Sequence, residues 1–248
     1  YAARNLCERR SLERHQHMPD GRVCGDFGSA NTPNPPRGFC GVSPTQTARQ
    51  QFDALILTTN LFAPAGQGVA ATEPEYRFDA ERTIGSLASS LASVHRCPVQ
   101  PASLLAEPDL LLTTDHLVEL ALRSAEAEQA HPQELSPPYR HMSRVRLTQI
   151  LQDGAGAIEQ KPAEPVLLQG APRLSNLRFS GQDLIGFEDW TQAAIGDAYF
   201  DLARAAQDLL NTFGPQPIQA FFGEYGMQNP DPVRLDWYLL AAELCAQP

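Results

Sequence analysis

Apolar positions in this chain are poorly patterned over the first fifty residues and strongly periodic afterwards. From Asp79 to His95, Ile84, Leu87, Ala88, Leu91 and Val94 recur at helical spacing, which predicts a helix with Asp79 as candidate N-cap. Leu110 to Gln129 reads as a second helix, with Leu112, His116, Leu120 and Leu122 as its apolar or semi-polar positions, and Ser136-Pro137-Pro138 ends it. Ser143 is placed to cap a third helix reaching Gln160, carrying Leu147, Ile150, Leu151 and Ile158 inward. Gly154 and Gly156 inside it each cost about 1 kcal/mol of helix propensity or let another element pack close. Three more helices are predicted at Asp197 to Thr212, Gln216 to Tyr225 and Pro232 to Cys245. The first carries the stripe Leu202, Ala205, Ala206, Leu209 and Leu210.

Strand signals are fewer. Val166-Leu167-Leu168 is a short apolar run leading into a polar loop. Leu177-Arg178-Phe179, the turn candidate Ser180-Gly181-Gln182, and the run Leu184 to Phe187 then predict a β-hairpin. Gln51 to Phe62, with Phe52, Ala54, Leu55, Ile56 and Leu57, reads as a buried strand, broken by Pro64 to Gly68. Residues 1–50 mix glycine and proline, and Asn31 to Pro36 reads as a loop or linker. The spacing Gly25-x-x-Gly28 fits a plain turn better than a phosphate loop, since neither a helix nor a lysine accompanies it.

Charge divides the chain. Residues 1–50 carry seven arginines against four acids, whereas residues 51–248 carry twelve bases against twenty-five acids, a net of −13. The acidic part argues against nucleic acid as a ligand and suits a cationic small molecule or partner. No run approaches the roughly 18 apolar residues of a membrane helix, so no membrane association is expected. Tyr1 to Arg22 is polar and Arg-rich, and no secretory leader is expected. The five cysteines are widely spaced without a C-x-x-C pair, which argues against zinc and for a reduced, cytoplasmic setting. A Cys24–Cys40 bridge and metal binding by His15 and His17 are minority readings.

The stretch around the hairpin carries chemistry. An amide, Asn176, and a carboxylate, Asp189, stand at the hairpin's mouth, and oxygen donors of this kind suit Mg²⁺. The region resembles the aminoglycoside phosphotransferase (choline kinase-like) family, relatives of the protein kinases. The family pattern is His-Gly-Asp-x-x-x-x-Asn, an Ile-Asp-Trp-type metal motif, and Gly-Asp-x-x-x-Asp-Leu-Ala. Here Gln169-Gly170-Ala171-Pro172-Arg173-Leu174-Ser175-Asn176 is followed by Glu188-Asp189-Trp190 and by Gly196-Asp197-Ala198-Tyr199-Phe200-Asp201-Leu202-Ala203. The resemblance spans roughly residues 80–245. It implies an α+β, protein-kinase-like two-lobed fold, with a small or incomplete N-lobe and hinge in residues 1–66 and a mostly helical C-lobe in residues 67–248 holding the hairpin at 166–190. Asn176 and Asp189 correspond to the family's Mg²⁺ ligands, and Asp197 and Asp201 to supporting, helix-start positions. His95 corresponds to a packed helix-end residue.

The chain departs from the family where chemistry matters most. Gln169 stands for the family's His, and Ala171 for its catalytic Asp. The single lysine, Lys161, comes after the hinge, so the N-lobe lysine that anchors ATP phosphates has no counterpart. A general base contributes roughly 10²–10⁴-fold. These residues support three readings. The leading one is a degenerate family member without kinase activity, a binding or regulatory subunit with a protein partner or self-association and no cofactor. The second is an active phosphotransferase using Mg²⁺ and ATP on a hydroxylated small molecule, antibiotic or peptide. The third is an enzyme reusing the cleft for other chemistry.

Overall fold

The computed structural model describes residues 44–99, 102–105, 107–127, 135–136 and 138–245. Of the reduced N-lobe and hinge expected in residues 1–66, residues 1–43, with Gly25, Gly28, Cys24, Cys40, His15 and His17, lie outside the described residues. Helix α1 is Pro44–Thr58. Strand β1, Val69–Ala70, precedes the short helix α2, Pro74–Phe78, and the long helix α3, Ala80–His95. A short helix α4, Ala102–Leu105, and a 3-10 turn, Pro108–Leu110, lead to β2, Leu111–Leu112. Helices α5, Thr114–Ala127, and α6, Arg144–Glu159, come next. Then come β3, Val166–Leu168, β4, Leu177–Ser180, β5, Asp183–Phe187, and β6, Ala194–Gly196. Helices α7, Tyr199–Phe213, α8, Ile218–Tyr225, and α9, Pro232–Leu244, complete the described chain.

Two three-stranded sheets hold the polar loops in place. In one, β4 is central, paired antiparallel with β1 and β5. In the other, β6 is central, antiparallel to β3 and parallel to β2. The hairpin β4–β5 turns where expected, with Gly181 at φ 57°, a left-handed conformation that favours glycine. Residues 61–63 run beside β5: the Phe187 amide donates to the Leu61 carbonyl at 2.7 Å, and the Ala63 amide to the Phe187 carbonyl at 2.8 Å. A Cβ at Gly186 would lie 2.2 Å from the Leu61 carbonyl oxygen, so this approach requires glycine.

The core forms two clusters. One joins Phe52, Leu87, Leu91, Phe179, Phe187, Trp190 and Phe221, uniting α1, α3, the hairpin and α8. The other joins Leu117, Leu147, Leu151, Leu168, Phe200 and Trp237, uniting α5, α6, β3, α7 and α9. Strand β3 belongs to both, with Leu167 in the first cluster and Leu168 in the second.

Several expectations are corrected. Gln51 to Phe62 is not a strand: α1 occupies Pro44–Thr58, because Phe52, Leu55 and Ile56 at i, i+3 and i+4 bury one helical face, while Leu57 is 51% exposed. The helix expected from Leu110 begins only at Thr114, since Leu111 and Leu112 pair with Ile195 and Gly196 in a sheet. Its buried face is Leu117, Ala121 and Ala125 rather than Leu112, His116, Leu120 and Leu122. Ile150 and Leu210, placed inward on periodicity, are 38% and 41% exposed at the margins of their stripes. Asp79 stands at the N-cap position without a side-chain cap bond, and is within 3.8 Å of Arg82 instead. Ser143 caps α6 as expected, accepting from the Arg146 amide at 3.2 Å.

Candidate functional site

The loop Gln169 to Asn176 leaves β3 and is anchored from behind by one carboxylate. Asp201, in the first turn of α7, is fully buried. Its Oδ2 accepts from the Gln169 amide at 2.7 Å and its Oδ1 from the Gly170 amide at 2.9 Å. His95, buried at the end of α3, lies with Nε2 3.2 Å from the same Oδ2, and its Nδ1 is 2.8 Å from the Tyr225 hydroxyl. Burial, and then the Asp201 charge, push the Tyr225 phenol up to about 12. His95 and Asp201 therefore hold the loop, consistent with the structural roles expected of them.

Arg204, one turn further along α7, clamps the loop's second residue. Its Nη1 donates to the Gly170 carbonyl, and to Gln192 Oε1 at 2.6 Å. Burial depresses this guanidinium to about 10, with the Asp201 charge opposing. Gly170 has φ 87°, and a Cβ there would sit 1.9 Å from the Gln192 carbonyl oxygen, so the position tolerates only glycine.

The degenerate positions are built into the same frame. The Gln169 side chain is fully buried and bridges two segments. Its Nε2 donates to the Asp189 carbonyl, and its Oε1 accepts from the Ala171 amide at 2.8 Å. Ala171 is only 4% exposed. Asn176 Nδ2 donates to the Ala171 carbonyl at 2.9 Å, which ties the loop closed. The Glu188 amide donates to the Asn176 carbonyl at 2.9 Å, joining the loop to the end of β5. Asp189 Oδ1 accepts from the Thr191 amide at 2.9 Å and the Thr191 hydroxyl at 2.7 Å, an Asx-type turn.

Asn176 and Asp189 each spend one side-chain polar atom on local structure, which leaves Asn176 Oδ1 and Asp189 Oδ2 as the oxygens a hard cation would take. The donor chemistry thus fits Mg²⁺, which keeps several waters or phosphate oxygens beside one or two protein ligands. The phosphate anchor does not fit. Lys161 is an exposed residue after α6, paired with Asp231 at 2.9 Å. Among the described residues no cluster of three or more histidine, cysteine or acidic side chains is positioned around a common metal site.

Glu188 and Asp189 lie beyond the end of β5 at Phe187, so strand alternation does not govern them, and the Glu188 carboxylate is engaged on both oxygens. Its Oε1 accepts from the Gly66 amide at 2.7 Å and its Oε2 from Arg178. The Gly66 amide first, and Arg178 with it, hold the carboxyl below the usual carboxylate range despite partial burial. Glu188 is thus engaged in structure through both oxygens. Asp197 is likewise structural: Oδ1 accepts from the Tyr199 amide at 3.0 Å at the start of α7, and Oδ2 from Arg234 Nε at 2.7 Å.

Sequence reasoning missed Arg204, Gln192 and Asp208. Asp208 on α7 accepts from the Leu174 amide at 2.8 Å and so holds the far side of the loop. The recognisable motif ends at Ala203, so Arg204 and Asp208 on α7 fall just beyond it, and Gln192 lies in the turn between β5 and β6, outside any motif.

A mixed fold of small sheets and many helices, with a loop anchored on a buried helical aspartate, defines the kinase-like phosphotransferase class. The chain belongs to the phosphotransferase enzyme family (APH), whose model matches residues 61–238. Among solved structures it is similar to the aminoglycoside phosphotransferase APH(3'')-Id from Streptomyces rimosus, with 20% identity, 81% of each chain covered and a TM-score of 0.63. The same enzyme in complex with ADP and streptomycin gives 0.64, with 82% of this chain and 83% of that chain covered. A choline/ethanolamine kinase family protein from Mesorhizobium loti is similar at 12% identity, covering 77% of this chain and 65% of that chain, with a TM-score of 0.54. These likenesses establish the fold. No curated protein sequence matches the chain. No helix among the described residues is long and apolar enough to cross a membrane.

Proposed function

We propose that this chain is a degenerate, pseudokinase-like member of its family, a cytoplasmic binding or regulatory protein that does not transfer phosphate. The observation that carries the reading is Ala171. The loop around it keeps its anchors on Asp201, Asp208 and Arg204, yet presents a methyl group where the resembling family has its catalytic acid. The backbone machinery is kept and the proton acceptor is gone. Glu188 does not replace it, because both its oxygens are engaged by Gly66 and Arg178. The basic, Pro-rich residues 1–50, with seven arginines against four acids, carry a charge opposite to the acidic remainder, which favours self-association or a protein partner. Light scattering at rising salt tests that part: a monomer at every ionic strength, with no partner from native lysate, would count against it.

The second reading, an Mg²⁺- and ATP-dependent phosphotransferase, is favoured by the retained oxygens of Asn176 and Asp189. It needs a base and a phosphate anchor from elsewhere. The deciding experiment is a phosphotransfer assay with ATP or GTP against aminoglycosides, choline and related alcohols. Background rates are expected. Turnover in the range of about 1–100 s⁻¹ ordinary for kinases overturns the proposal.

A further inference from the structure

We propose that residues 64–67 are a strap with two positions, fastened to the hairpin through Glu188 in one and released in the other, and that Arg178 sets the balance between them. The device is independent of whether the chain transfers phosphate.

Both ends of the strap are fixed. On one side the Ala63 amide donates to the Phe187 carbonyl at 2.8 Å. On the other, β1 begins at Val69, which pairs with Phe179, and the Ala71 amide donates to the Leu177 carbonyl at 2.9 Å. Residues 64–67 between them are exposed. They close a turn of their own, with the Gln67 amide donating to the Pro64 carbonyl at 3.0 Å. A Cβ added at Gly66, within this turn, would meet nothing within 4 Å. The Gly66 amide is nevertheless held, donating to Glu188 Oε1 at 2.7 Å.

Glu188 has two oxygens and three claimants. Its Oε2 accepts from Arg178 Nη2. Arg178 Nε is buried, and among the described residues no atom accepts from it. Nε and Nη2 share one edge of the guanidinium, an edge that a carboxylate can grip with both oxygens at once. While Glu188 gives Oε1 to Gly66, Nε goes without an acceptor, the costly condition for a buried donor. In the released position Glu188 turns both oxygens to Nε and Nη2, and water serves the exposed Gly66 amide. A bond from an exposed amide to a carboxylate is thus weighed against a stranded buried donor. The two effects are of similar size, which is the condition for two populated positions.

Glu188 immediately precedes Asp189, and its own amide donates to the Asn176 carbonyl at 2.9 Å. The strap is therefore fastened at the mouth of the hairpin, beside the two candidate cation ligands. In either position both Glu188 oxygens are taken.

The test is amide hydrogen exchange on the full chain, read residue by residue by NMR. The Ala63 and Ala71 amides are the references. The quantity compared is Gly66 protection relative to theirs, so a general loss of stability cancels. In the unsubstituted chain Gly66 is expected to be less protected than either reference. Glu188→Ala should bring Gly66 to the rate of a free turn amide and leave the references unchanged. Arg178→Lys keeps a positive charge for Glu188 but has no second donor on a shared edge, so Gly66 protection should rise about tenfold. Arg178→Gln also lacks Nε and should raise it too. A static brace behaves in the opposite way: weakening the ion pair loosens Glu188, and Gly66 protection falls. A rise in at least one Arg178 variant is the expected result, and a fall or no change in both overturns the proposal. Gly66 exchange unaffected by Glu188→Ala, or Gly66 as protected as the references in the unsubstituted chain, overturns it as well.

Discussion

Gln169 is hydrogen-bonded to Asp189 across the site, its side-chain amide donating to the Asp189 carbonyl while its own carbonyl accepts the Ala171 amide. The residue at the family's histidine position is therefore a buried staple between the loop and the segment after β5. Gln169→Ala strands a buried N–H and a carbonyl at about 1–3 kcal/mol each. At roughly 2–4 °C per kcal/mol for a chain of this size, the melting temperature should fall by several degrees. Gln169→Glu keeps the acceptor and loses the donor, and should recover only part of the loss in the same melting curve.

Asp189→Ala removes the acceptor for the Thr191 amide and hydroxyl. The expected cost is about 0.5–2 kcal/mol, as for a lost cap, in protein without added ligand. An unchanged melting temperature, together with micromolar Mg·ATP binding that the substitution abolishes, would instead assign Asp189 to nucleotide binding.

Ala171→Asp alone should not restore phosphotransfer. A base supplies roughly 10²–10⁴-fold, and the lysine that anchors phosphates is still missing. A rate above background for this variant in a coupled ATP assay would mean that another group holds the phosphates.

Glu188 links pH to stability. Its folded pKa lies below the unfolded value, held there by the Gly66 amide and Arg178. The stabilisation is therefore present above the unfolded carboxylate range, near about pH 4.3, and is lost as pH falls through the lower folded value. Glu188→Gln should lower stability at pH 7 by about 1–3 kcal/mol and flatten the acid limb of a denaturation series. Identical pH slopes in the two proteins would mean that Glu188 does not couple pH to folding.

Two glycines of α6 give a paired test. A Cβ on Gly156 meets nothing within 4 Å, so Gly156→Ala should stabilise by up to about 1 kcal/mol. A Cβ on Gly154 would lie 2.9 Å from Trp237 Cδ1, and the Trp237 Nε1 is fixed by the Leu151 carbonyl at 2.8 Å. Gly154→Ala should therefore lose that gain or destabilise. Denaturant midpoints for the two single variants decide it.

The helical frame from Asp79 onward and the hairpin are legible in the sequence because long periodic stripes and a turn glycine carry strong local signals. Val94-His95, Ala171, Asn176, Asp189 and Asp201 can be placed from motif order alone. The features that escape sequence reasoning are local and short. The β2 and β6 strands, at Leu111–Leu112 and Ala194–Gly196, are too brief to alternate, and only their pairing makes them strands. Phe52, Leu55 and Ile56 sit in an apolar cluster that both strand and helix patterns accept. Arg204 is invisible for a different reason: a buried arginine on an apolar helix has meaning only once its acceptors, the Gly170 carbonyl and Gln192, are seen.

The carboxylate of Asp201 serves amides 32 and 31 positions earlier in the chain and an imidazole 106 positions earlier. During synthesis the loop leaves the ribosome before its acceptor exists. Until α7 emerges, the Gln169 and Gly170 amides depend on water. The loop can then settle only after a long-range closure, a slow kind of step. The apolar side of α3 waits longer still, until α8 supplies Phe221 and Phe222. A chain stopped between residues 170 and 201 is therefore expected to hold neither its loop nor the face of α3, and to be more prone to aggregation than the full chain.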